Sequence, residues 1–78
     1  MQTTEPVTAT AIETTPDALI LVLGERRFRV PWERCSKRLV TATQQERMEA
    51  ELSPGGYGIH WPLIDEDLSV NGLLKSLD

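Results

Sequence analysis

The chain is 78 residues long, with 8 Lys and Arg against 12 Asp and Glu, a net charge of −4 and a pI near 4.9. A chain this short hides only about 60–65% of the surface its unfolded form exposes, so it builds one modest core and excludes a deep, enclosed active site. A single cysteine, Cys35, excludes an intrachain disulfide and a zinc site built from several thiolates, and the longest apolar run, Ala18 to Leu23, is six residues against the roughly 20 of a membrane span. Polar Gln2-Thr3-Thr4-Glu5 after Met1 does not resemble a signal peptide. The expectation is a soluble, cytoplasmic protein.

Residues 1–6 are polar and are predicted to form a disordered N-terminal tail, leaving residues 7–78 as a single α+β domain. Val7 to Thr14 alternates small apolar with hydroxyl side chains and is rich in β-branched residues, which suits an edge strand. Thr15-Pro16-Asp17 breaks it. Ala18 to Leu23 is apolar throughout, as in a central strand covered on both faces. Gly24-Glu25 then supplies a two-residue turn with glycine first. From Arg26 to Trp32, Phe28, Val30 and Trp32 alternate inward against Arg27 and Arg29, so Ala18 to Trp32 reads as a β-hairpin.

Glu33 to Arg38 reads as a charged connector. Thr43-Gln44-Gln45-Glu46 matches a capping box, in which the threonine hydroxyl and the glutamate carboxylate satisfy free amides at a helix start. A short helix is expected to run to about Met48, followed by a second hairpin, Glu49 to Trp61, turning at Ser53-Pro54-Gly55-Gly56. Pro62 ends it, and acidic Asp65-Glu66-Asp67 precedes Ser69. That serine caps a helix with Val70, Leu73, Leu74 and Leu77 on one face. The sum is an α+β domain: a small antiparallel sheet of about five strands with two short helices on one face.

Charge is unevenly distributed, at −3 for residues 1–24, +4 for 25–38 and −5 for 39–78. The basic band of Arg26, Arg27, Arg29, Arg34, Lys37 and Arg38 includes Phe28 and Trp32, a composition compatible with a nucleic-acid backbone. Its plainer reading is the solvated face of a strand, which helps solubility, and the net negative charge suits a basic protein partner better.

No catalytic residue, cofactor or metal site is expected. Arg34, Lys37 and Arg38 around Cys35 should lower its thiol pKa, but the sole histidine, His60, lies on a different predicted strand, too remote in sequence to mark it as a base. His60 sits between Ile59 and Trp61, pointing to the opposite face of its strand and hydrogen-bonding within the sheet or a turn. Asp65-Glu66-Asp67 lacks the glycine and spaced acids of a calcium loop, and reads as favouring the N-terminal end of the following helix. Gly55-Gly56-Tyr57-Gly58 is followed by a strand and reads as a turn. Trp32, Tyr57 and Trp61 read as core rather than as a binding surface.

Ala42 to Arg47, Gly56-Tyr57-Gly58-Ile59-His60-Trp61-Pro62, Asp65 to Val70 and Leu73-Leu74 together resemble a small bacterial family known only as domain of unknown function 2442. The likeness spans about residues 7 to 76 and is most specific from Ile59 to Val70; near Met48-Glu49 this chain lacks the family's usual aromatic residue. The resemblance implies a compact α+β domain with no established enzymatic activity. It also implies genes that often neighbour another small protein in what look like toxin–antitoxin pairs. Some relatives add a helix-turn-helix domain for DNA binding, which is not expected in a chain ending at Asp78.

The functional expectation is a non-enzymatic protein-binding module, the antitoxin-like partner of a small basic protein encoded nearby. Asp65, Glu66, Asp67, Glu46, Glu49, Glu51 and His60 would form its docking face. The alternative is a nucleic-acid-associated transcriptional regulator using the basic band 26–38. An unpaired strand at Val7 to Thr14 would also offer an edge for a homo-oligomer.

Overall fold

A computed structural model describes residues 7–77; the tail expected at 1–6 lies outside the described residues. Over the described residues the chain is α+β, with two three-stranded antiparallel sheets and four short α-helices. This corrects the single sheet of about five strands. The six strands split where the chain leaves the first hairpin through helices and starts a second meander.

The first sheet has the order β1 (Ala11–Thr14), β2 (Ala18–Leu23), β3 (Arg26–Pro31). Strand β1 is shorter than expected because the Ala9 amide donates to the Gly56 carbonyl at 2.8 Å, drawing the segment before it toward the second sheet. Between β2 and β3, Gly24 takes φ +64°, as the glycine-first turn requires. Leu19 and Leu21 of β2 and Val30 of β3 are fully buried, while Arg27 and Arg29 are exposed.

The expected connector after β3 is two helices, α1 (Trp32–Cys35) and α2 (Lys37–Thr41). Ser36 separates and caps them: its hydroxyl accepts the Leu39 amide at 3.2 Å, satisfying one free donor of α2 and burying Leu39 beneath. Trp32 still points inward but opens α1 rather than closing β3, its indole donating to the Thr15 carbonyl at 3.1 Å. Helix α3 (Gln44–Met48) starts with the expected capping box of Thr43 and Glu46.

The second sheet has the order β4 (Glu51–Leu52), β5 (Gly58–Trp61), β6 (Glu66–Ser69), with a single 3₁₀ turn at Pro54–Gly56 between β4 and β5. Strand β6 is the main departure from expectation. Its acids pair backbone-to-backbone with β5, Trp61 opposite Glu66 and His60 opposite Asp67, instead of lying free before a helix. Ser69 then caps α4 (Val70–Lys75) by accepting the Gly72 amide at 2.9 Å.

One core joins the two sheets. Leu19, Leu21, Val30, Ile59, Trp61, Leu39, Val70 and Leu73 pack together, and Trp32 meets Trp61 edge-on at 6.4 Å between ring centroids. Arg47 ties the far side: its guanidinium donates to the Leu39 and Val40 carbonyls at 2.8 Å each and lies 5.5 Å over the Trp32 ring. The Arg47 carbonyl in turn accepts the Trp61 indole at 3.1 Å. No helix of the described residues is long and apolar enough to cross a membrane.

Candidate functional site

Pairing in the second sheet decides which polar residues share a face. Directly opposed residues of an antiparallel pair lie on the same side, so Glu51 of β4, His60 of β5 and Asp67 of β6 form one transverse row. Ile59 and Trp61, the neighbours of His60, are buried on the inner side. His60 therefore stands on the outer face, as alternation predicts, with its Nδ1 2.9 Å from an Asp67 carboxylate oxygen. The loop from Pro62 to Asp65 closes the β5–β6 hairpin, and Asp65 takes φ +52°, a left-handed conformation that aspartate tolerates better than most residues. This turn brings Asp65 back beside the row, so that one ligand-type atom each from His60, Asp65 and Asp67 all lie within 4.8 Å of one another.

The remaining residues of the expected acidic face are placed differently. Glu46 is committed to its cap, accepting the Thr43 amide at 2.8 Å. Glu49 caps the C-terminal end of α3, outside any strand. Glu66 lies opposite Trp61 and is half-buried, so alternation puts it on the inner side of β6. The structure thus gathers Glu51, His60, Asp65 and Asp67 and leaves Glu46, Glu49 and Glu66 off that face. Among the described residues no lysine or arginine forms an ion pair with the gathered acids.

The basic band is divided among three elements and partly consumed. Arg27 pairs with Glu13 across the first sheet at 2.5 Å, which holds the Glu13 carboxyl below its usual range and raises the Arg27 guanidinium. Arg34 donates to the Ser76 carbonyl and Arg38 to the Ile64 carbonyl, the latter at 3.0 Å. Arg26 lies 5.1 Å over the Phe28 ring. Arg29 and Lys37 are exposed.

Cys35 corrects a further expectation. Although cations flank it in sequence, burial dominates and pushes its thiol up to about 12; Arg47 opposes this and Glu33 adds to it. Its Sγ sits 3.9 Å from the Val30 carbonyl, and it shares a cavity of about 310 Å³ with Leu68, Ser69 and Leu73. Leu68 lies on the inner side of the second sheet, opposite to His60, so the fold does not assemble a Cys/His pair.

An α+β domain built from two three-stranded antiparallel meanders, with a histidine and acids on the outer face of the second, is the class this chain defines. The family model described as "Protein of unknown function (DUF2442)" matches residues 9–77, and the chain belongs to that family. The fold is shared with the crystal structure of a protein of unknown function from Rhodospirillum rubrum ATCC 11170. That protein is 28% identical, with a TM-score of 0.79 over 92% of this chain and 88% of that one. No curated protein matches the chain.

Proposed function

We propose that this chain is a non-enzymatic protein-binding module, the antitoxin-like half of a toxin–antitoxin-type pair, which docks a small basic protein on the outer face of its second sheet. The observation that carries the reading is the Glu51–His60–Asp67 row with Asp65 beside it, a set of carboxylates that form no ion pair with an arginine or lysine of the described residues. An acidic patch on a rigid sheet attracts a cationic surface at long range and fixes its orientation on contact. Leu63 is exposed in the same loop as Asp65 and supplies apolar area at that end of the patch, while Tyr57, expected in the core, is exposed at the opposite end of β5.

The test is to purify the tagged chain from its native host beside a Glu51→Lys/Asp67→Lys variant. Both positions are exposed strand sites where lysine fits. Light scattering and mass spectrometry then identify what co-elutes on size exclusion. The expected result is a stoichiometric basic protein whose recovery falls by roughly ten-fold or more in the variant. Equal recovery by both chains removes this face as the docking surface, and a bare chain in both removes the partner.

A further inference from the structure

We propose that His60, Asp65 and Asp67 form a binding site for one divalent first-row transition ion of the zinc class. The three residues come from one β-hairpin and offer a nitrogen and two carboxylates, with their ligand atoms all within 4.8 Å of one another. Around a zinc ion with bonds near 2.1 Å, tetrahedral ligands sit about 3.4 Å apart. The 2.9 Å from His60 Nδ1 to Asp67 therefore has to open only slightly. Asp65 and Asp67 are exposed carboxylates and can make that adjustment without disturbing the core.

The donor set selects the ion. Calcium and magnesium favour six or more oxygens, whereas an imidazole beside carboxylates suits zinc and its neighbours, and no thiolate is offered that would draw a softer metal. Three protein ligands on an exposed face leave coordination positions for water or for a donor from another molecule. The backbone holds the site in place from both sides: His60 and Asp67 are a register pair of β5 and β6, and Asp65 is the last residue of the loop joining those strands. The inference concerns the isolated chain and stands whether or not the same face docks a partner.

The test is calorimetric titration of zinc chloride into the untagged, chelator-treated full chain, followed by imidazole NMR. His60 is the sole histidine, so its ring signals report the site without ambiguity. Saturable 1:1 binding with a shift of the His60 ring resonances is expected. Removing a ligand should weaken binding by at least the ten-fold to hundred-fold, roughly, that second-sphere changes produce, both in His60→Ala and in Asp65→Asn. Asparagine accepts the left-handed backbone at position 65, so that variant keeps its fold. Zinc should also raise the melting temperature of the wild type more than that of Asp65→Asn. No saturable heat up to millimolar zinc, unshifted His60 signals, undiminished affinity in either variant, or magnesium binding as tightly as zinc would each overturn the site.

Discussion

Cys35 shows how burial outweighs sequence neighbourhood. Three cations lie within three residues of it, yet charges on exposed, flexible side chains are screened by water, while loss of hydration acts on the thiolate directly. The folded thiol ionises near 12, against an ordinary value of 9.0. Below about pH 9 both folded and unfolded chains keep the proton, and the thiol makes no pH-dependent contribution. As pH rises from 9 toward 12 the unfolded thiol loses its proton first, so stability falls across that window. Chemical denaturation at pH 8 and pH 10.5 should show this fall, and Cys35→Ser should make it shallower. Iodoacetamide at pH 8 should alkylate the folded chain at least about a hundred-fold more slowly than the chain in denaturant. Equal rates would mean that folding neither shields the thiol nor raises its pKa.

Among the elements, the 3₁₀ turn before β5 has the least room for change. Gly56 takes φ +79°, is buried, and a Cβ there would lie 2.1 Å from the Ala9 carbonyl oxygen, so the turn and the segment leading into β1 meet backbone to backbone. Gly56→Ala therefore combines a disfavoured φ with a clash neither side can relieve, and should cost about 2–5 kcal/mol. Gly24→Ala isolates the first factor: φ is +64° there but the space around its Cβ is open, so about 1 kcal/mol is expected. Urea melts of the two variants should rank in that order, and similar losses would mean the approach of Ala9 is not tight. These contacts also explain what the residues reveal in advance. The β2–β3 hairpin, the Thr43 capping box and the Ser69 cap were legible, because each is a local signal of alternation, turn glycine or hydroxyl spacing. Strand β6 was not, since Glu66-Asp67-Leu68-Ser69 has low strand propensity and is recruited by pairing with β5. Missing β6 also hid the site. Only register sets Asp67 opposite His60, and only the left-handed turn at Asp65 returns a third ligand to them. The Ser36 cap, by contrast, was a readable signal for α2 that the surrounding charges masked.

At the scale of the molecule, neither sheet has a core of its own. Leu19, Leu21 and Val30 of the first sheet are covered by Trp61 and Ile59 of the second, and by Leu39, Val70 and Leu73 from the helices. Trp32 and Trp61 sit edge-on at the centre of that shared layer, the Trp32 indole donating to the Thr15 carbonyl in the β1–β2 turn and the Trp61 indole to the Arg47 carbonyl of α3. A three-stranded meander without a covered face is marginal in water, so the loss of one sheet exposes the apolar face of the other. Unfolding should therefore be a single cooperative step despite the two sheets. The two tryptophans report the junction and far-ultraviolet circular dichroism reports the strands and helices, so urea transitions followed by the two signals should coincide. A fluorescence midpoint lower than the dichroism midpoint would show the sheets parting before they melt. A docking face on the second sheet would then be carried by a unit that keeps its shape alone, rather than by the rigidity of the whole core.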